Sequence, residues 1–256
     1  MYKSILIIGI LAATLSSQQV QAQDAKAIAF DVYNRETPKD GESDMTMTLI
    51  DKRGSKRMRN LHQYFMNLGE VEKKIMFFTT PADVKNTSFM NWSYDDAAKE
   101  EDQWLYLPAL KKVKRISASS KDNEFMGSDF TYEDMEKRNP ERDNHIFLKN
   151  DTYNGEAVWV IQATPKKEEQ YSKKVAWISK EKKIPLKIEF YDIDEELLKV
   201  LTITEVVNMK GYWLIVKQEM KNIQKNHMTI IALSKIQVDK GLTESKFTQR
   251  EMEKGL

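Results

Sequence analysis

The chain of 256 residues contains no cysteine. Disulfides and thiolate metal sites are therefore excluded, and so is acylation at a cysteine following a leader peptide. Only three histidines occur, His62, His145 and His227, far apart in the sequence. Zinc then has no cluster of ligands, and no metal or cofactor is expected. No apolar run is long enough to cross a bilayer as a helix. The nearest, Ile5 to Leu15, follows the positive Lys3 and leads to Val20-Gln21-Ala22. That layout predicts a cleaved signal peptide over residues 1–22. Export without disulfides points to a Gram-negative periplasm. Net charge is lacking too. The 40 basic residues include Lys3 of the leader, whereas none of the 39 acidic ones lies there. The mature chain is thus neutral, which excludes whole-protein capture of nucleic acid. No stretch rich in proline, glycine and serine divides residues 23–256, and no repeat is visible, so one domain is expected.

Signatures of catalysis are also missing. There is no G-x-S-x-G elbow and no glycine-rich phosphate cradle. Two acidic clusters, Asp95-Asp96 with Glu100-Glu101-Asp102 and Asp192 with Asp194-Glu195-Glu196, lack the glycine of a calcium loop and fit solvated turns. Asp129, Glu133 and Asp134 are the remaining acid/base candidates, and a lipid-modifying enzyme would have to use Asp129 or Glu133. Thr131-x-x-Asp134 has capping-box spacing, however, which makes these carboxylates caps at the start of a helix. A non-enzyme is expected.

What the chain does contain is alternation. Ala25, Ile28, Ala29, Val32 and Tyr33 form one helical stripe behind the N-cap Asp24, ended by Pro38 and Gly41. Beyond it, strands are predicted from Met45 through Val238. Turns are marked at Gly54, Gly69, Pro81, Pro108-Ala109, Asn154-Gly155 and Lys210-Gly211. One polar segment, Glu136 to Asn144, interrupts them, and Phe247 to Met252 fits a short terminal helix. The last three strands are long, so the sheet must curve strongly. The pattern is mainly β: an antiparallel meander with few helices.

A curved sheet partly covered by short helices leaves an apolar hollow, the default ligand site of a protein without catalytic groups. Trp104 and Tyr106, two residues apart on a strand, share a face. With Trp92 they are candidate walls of the hollow, and Phe125, Met126 and Phe130 are candidate contacts at its mouth. Gly127 is the candidate hinge of a mobile rim. The 13 methionines add adaptable surface for apolar ligands. Lys111, Lys112, Lys114 and Arg115, around Val113, fit either phosphate or lipid-headgroup contacts or a half-exposed strand.

Three runs carry a family resemblance. D-Q-W-L-Y-L-P-A-L-K-K-V-K-R-I (Asp102 to Ile116), followed by F-M-G-S-D-F-T-Y-E-D-M (Phe125 to Met135), resembles the signature of the LolA-like outer-membrane lipoprotein-sorting proteins. K-K-V-A-W-I-S-K-E-K-K-I-P-L-K-I-E-F-Y-D (Lys173 to Asp192) resembles a strand, turn and proline-bearing strand of the same superfamily. The resemblance implies an unclosed antiparallel β-barrel with helices over a concave apolar face. It further implies a periplasmic carrier that shields acyl chains of lipoproteins or lipids on their way to the outer membrane. The partners implied are an inner-membrane exporter and an outer-membrane acceptor. The alternative is a lipid-sensing regulator, or an accessory of a resistance-nodulation-division exporter. No position here matches the arginine that latches the lid of the well-studied carriers.

Overall fold

Alternating burial decides the architecture. Along Asp40–Ile50 the side chains at 43, 45, 47 and 49 are buried and those between them are half-exposed, the period of a strand with one face on a core. The same habit recurs along the chain and builds one sheet. The structure, a computed structural model, describes residues 24–256. The expected leader lies outside the described residues. Helix α1 (Ala25–Tyr33) precedes strands β1 (Asp40–Ile50), β2 (Lys56–Asn67), β3 (Val71–Thr80), β4 (Ser88–Tyr94), β5 (Asp102–Leu107) and β6 (Lys112–Arg115). After a long crossing segment come β7 (Asp143–Tyr153), β8 (Glu156–Pro165), β9 (Lys173–Ser179), β10 (Pro185–Tyr191), β11 (Leu197–Met209), β12 (Tyr212–Asn222) and β13 (His227–Val238), then helix α2 (Gln249–Lys254).

The 13 strands form one antiparallel sheet in the order β6-β5-β4-β3-β2-β1-β13-β12-β11-β10-β9-β8-β7. The first and last strands of the chain, β1 and β13, pair at its centre. Strands β6 and β7 are its two free edges, so the barrel is unclosed. Every other junction is a hairpin. At Asn154-Gly155 both residues have positive φ, 51° and 81°, as the two-residue turn requires. Gly41 is needed for a different reason. A Cβ there would stand 2.5 Å from the carbonyl oxygen of Gln237 and 2.7 Å from the Phe65 ring.

The sheet is apolar on both faces, each with its own cover. On one face α1, N-capped by Asp24 as expected, lays Ala25, Ile28 and Ala29 against Trp159, Ile161 and Ile178. The crossing segment lies on that face as well. On the other face Phe247 and Met252, at and beside α2, seal a cluster of Ile75, Phe77 and Met90. Among the described residues no helix is long and apolar enough to cross a membrane.

Candidate ligand-binding face

Residues directly opposite one another in antiparallel strands share a face, so the register traces the inner surface. Met45 faces Leu61 and Leu233; Leu61 faces Phe78; Met76 faces Phe89; Phe89 faces Leu105. In the other direction Met220 faces Leu201, Leu201 faces Ile188, Ile188 faces Ala176, and Ala176 faces Ile161. The result is an apolar floor running across the sheet.

Joining β6 to β7 obliges the chain to cross this floor from one edge to the other. Residues 116–142 do so with four single turns of 3-10 helix, at Ala118–Ser120, Phe125–Gly127, Glu133–Met135 and Pro140–Arg142. Within the segment lies a small hairpin: Phe125 N–H donates to Phe130 O at 2.7 Å and Tyr132 N–H to Asn123 O at 3.2 Å. Its tip is Phe125-Met126-Gly127-Ser128, with φ of 52° at Met126 and 68° at Gly127, a type I′ turn. Phe125 is fully buried and packs on Phe78, Phe89 and Tyr132 with ring centroids 6.2, 5.0 and 5.6 Å away.

Polar tethers hold the remainder. Gln103, pointing inward from β5, donates through Nε2 to Tyr132 O at 2.8 Å. The Asp129 carboxylate accepts from Thr229 Oγ1 and pairs with His227 Nδ1, both at 2.7 Å. Lys199, buried on β11, donates to Asp129 O at 3.0 Å and to Asp134 Oδ2 at 2.5 Å. Tyr171 OH donates to Asp134 Oδ1 at 3.1 Å. Burial alone would push the Asp134 carboxyl up, but Lys199 and Lys174 overcome it and hold it below the usual carboxylate range. Burial pulls Lys199 below its ordinary value, with Asp134 opposing. Nearer β7, Arg138 pairs with Asp143 at 2.6 Å and Glu169 at 2.8 Å, and Lys121 with Glu136 at 2.6 Å. Beside Glu136, burial and that neighbouring carboxylate push Glu101 up to about 7, against hydrogen bonds from Ser93 and Asn91.

Two hollows remain on this face, one on each side of Phe130–Glu136. The first, about 440 Å³, lies over β1–β3 and β12–β13, walled by Met45, Phe65, Met76, Leu214 and Leu233. The second, about 300 Å³, lies over β8–β12, walled by Ile161, Ala176, Ile188, Leu201 and Met220. Phe130, Asp134, Glu136 and Gln218 border both. Five consecutive strands lining one hollow require the sheet to be concave here. A larger hollow of about 550 Å³ lies between the β2–β3 and β4–β5 turns, away from the concave face, with Val71 and Tyr94 among the charged residues Glu70, Asp95, Asp96 and Lys99.

The six aromatic and methionine candidates divide. Phe125, Met126 and Phe130 lie on the concave face, and Phe130 borders both hollows. Trp92, Trp104 and Tyr106 share a face, as their spacing requires, but it is the opposite one, under Phe247 and Met252. The register makes this correction unavoidable: Trp104 faces Met90 and Tyr106 faces Ser88, while their neighbours Gln103 and Leu105 point inward. Trp92 and Trp104 pack edge to face at 5.2 Å, and Lys73 sits 3.9 Å over Trp92. The expected helix start at Asp129–Asp134 is also revised. Thr131 and Asp134 do exchange both capping-box hydrogen bonds, yet only one 3-10 turn follows, and Asp129 and Asp134 serve mainly as tethers. Sequence reasoning does not find Lys199, Tyr171 or Thr229, and considers His227 only as a zinc ligand. The one signal was Lys199 itself, a charge in the apolar run L-L-K-V-L.

Comparison with known proteins agrees with this geometry. A family model described as an uncharacterised protein matches residues 70–254. A DUF1329-family protein from Desulfovibrio piger is 28% identical, with TM-score 0.84 over 89% of this chain and 97% of its own. A Vibrio parahaemolyticus domain, described as that of an outer membrane lipoprotein-sorting protein, is 34% identical, with TM-score 0.84 over 90% of this chain and 98% of its own. A LolA-superfamily protein from Nitrosomonas europaea shares the fold at 17% identity, with TM-score 0.67 over 89% of this chain and 98% of its own. No curated protein sequence matches the chain. The 34% identity over 90% of the chain places it in the family of the Vibrio outer membrane lipoprotein-sorting protein domain, and its unclosed sheet with a covered concave face is the LolA-like fold.

Proposed function

We propose that this protein is a non-catalytic periplasmic carrier that holds acyl chains of lipoproteins or lipids on the concave face during transfer toward the outer membrane. The observation that carries the reading is the pair of apolar hollows flanking Phe130–Glu136 on one face of an open sheet. Their volumes fall at the low end of small-ligand sites. Each methylene moved from water into such a site is worth about 0.8 kcal/mol, so a run of several methylenes of an acyl chain supplies useful affinity without any polar contact. The crossing segment acts as the cover, with Phe125, Met126 and Phe130 as contacts at the mouth; Gly127, expected as its hinge, forms the tip of the seated hairpin, which moves the hinge to the stretch beyond Tyr132. Asp129 and Glu133, the candidates for catalysis, are occupied by His227 and Thr229 and by Arg138 and Lys174 respectively.

The test is titration of delipidated protein with a fluorescent fatty acid and with a triacylated peptide. Saturable binding is expected. Leu233→Glu in the first hollow or Leu201→Glu in the second should weaken it about tenfold or more, since about 1.4 kcal/mol suffices for that factor. Absence of saturable binding, or binding indifferent to both substitutions, would overturn the proposal.

A further inference from the structure

One end of the sheet concentrates positive charge that the chain as a whole lacks. Three neighbouring hairpins end there. The β1–β2 turn is placed by the pairing of Ile50 with Lys56, the β3–β4 turn by Phe77 with Ser88, and the β5–β6 turn by Leu107 with Lys112. The pairing of Ser88 with Tyr106 brings the last two to the same end, and β2 opposite β3 brings the first. Lys52, Arg53, Lys56, Arg57, Lys85, Lys111, Lys112 and Lys114 are all exposed on this rim. The acids among them are only Asp51 and Asp83. Asp51 accepts backbone N–H groups from Arg53 and Ser55, at 2.8 and 3.0 Å, with the Arg53 side chain at 3.7 Å. The other seven basic side chains form no ion pair among the described residues, whereas lysines elsewhere are commonly paired.

Two bare aliphatic side chains stand among these charges. Leu110 is 56% exposed and Met58 57%. Leu110 ends a single 3-10 turn, Pro108–Leu110, which Lys111 closes in the left-handed region at φ 46°, so the hairpin presents Leu110 outward between lysines. Further along the same end the β10–β11 turn carries Asp192, Asp194, Glu195 and Glu196, all but the first exposed, with Glu195 paired to Lys173 at 2.7 Å. The end is therefore polarised: basic and apolar over β1–β6, acidic over β10–β11.

We infer that the rim formed by the β1–β2, β3–β4 and β5–β6 turns is a docking surface for an anionic phospholipid bilayer. Lysines on mobile stems spread over three turns neutralise a fluid layer of phosphate headgroups without needing fixed geometry. Leu110 and Met58 add shallow apolar insertion, and the acidic turn fixes the tilt by repulsion. A nucleic acid would leave the aliphatic pair unused, and no aromatic stacking platform accompanies the charges. The surface also adjoins the cover, because the Arg59 guanidinium on β2 donates to Met126 O at the tip of the crossing segment. Docking would bring that tip close to the headgroups. The inference goes beyond the carrier proposal and does not rest on it.

Flotation of the mature chain with vesicles tests it. Binding is expected to vesicles of phosphatidylglycerol mixed equally with phosphatidylcholine, not to phosphatidylcholine alone, and to fall steeply with salt. Each lysine near such a surface contributes about a fivefold factor, so Lys111→Gln with Lys112→Gln and Lys114→Gln should weaken binding about 100-fold. A control triple at exposed lysines elsewhere, Lys149→Gln, Lys235→Gln and Lys254→Gln, should change it far less. Leu110→Ser should lower binding severalfold without altering the salt dependence. Equal binding to neutral vesicles would overturn the inference. So would equal losses in the two triples, or capture by a soluble acidic protein or polyanion with none by vesicles. Fatty-acid titration of the same variants should be unchanged, so failure of the carrier proposal and failure of membrane docking register separately.

Discussion

The most deeply buried of the ion pairs that tether the cover is Lys199–Asp134, and removing half of it is a sharp test of the construction. Lys199 and Asp134 have side chains only 2% and 4% exposed. The Lys199 ammonium reaches both Asp134 Oδ2 and the carbonyl of Asp129. In Lys199→Met the carboxylate of Asp134 keeps only Thr131 N–H, at 2.8 Å, and Tyr171 OH as donors. A buried charge stripped of its partner costs about 3–5 kcal/mol. Adding Asp134→Asn removes the charge while leaving an amide oxygen for the same two donors, so the double variant should recover about half of that loss. Equilibrium urea unfolding followed by tryptophan fluorescence measures both numbers. Hydrogen exchange over residues 129–136 should accelerate in the single variant, because the tether spans the cover and β11. A loss below about 1 kcal/mol for Lys199→Met would refute the reasoning. So would a double variant no more stable than the single.

Two further outcomes follow from groups on either side of the sheet. Glu101 ionises near 7 in the folded chain against an ordinary 4.5, so between those values the native state binds a proton that the unfolded state has released. Stability must then fall as pH rises through that window, by about 3 kcal/mol for this group. Glu101→Gln should shrink the difference in urea stability between about pH 5 and about pH 8, and a steeper dependence in the variant would contradict the assignment. On the outer face, Trp104→Ala should cost about 2–3 kcal/mol by hollowing the cluster under α2, yet leave fatty-acid affinity unchanged. An affinity loss at retained stability would return Trp104 to the ligand.

Much of the fold was legible because its signals are local. The helix behind Asp24 needs only a stripe and a cap. The turn at Asn154-Gly155 needs only two residues that accept positive φ. The strands announce themselves by alternation, and their joint length demands curvature. Which face is concave was not legible, because Q-W-L-Y-L offers an apolar side in either direction. The decision comes from distant covers, Phe125 and Tyr132 of the crossing segment on one side and Phe247 and Met252 on the other. Both faces are apolar because both are covered, so burial alone could not rank Trp104 against Leu105. Lys199 was hidden for a related reason: a lysine in a strand reads as exposed until a partner is known, and Asp134 lies 65 residues earlier.

The way the cover is fastened bears on how a carrier of this shape can open. Its hairpin is seated by aromatic packing, with Phe125 wedged between Phe78 and Phe89. Peeling those rings away exposes apolar area to water with nothing in return. The stretch from Glu133 to Arg138 is fastened differently, through carboxylates and cations on Lys199, Lys121, Lys174 and Asp143. When such pairs separate into water, hydration offsets most of the lost attraction, so the free-energy change is smaller than the strength of the closed contact implies. The polar stretch is thus the part that can lift, and it is also the part that borders both hollows. On the carrier proposal, lifting it would join the two hollows, which share Phe130, Asp134, Glu136 and Gln218 as borders, into one apolar trough, while the aromatic hairpin would keep the segment in register for closing again.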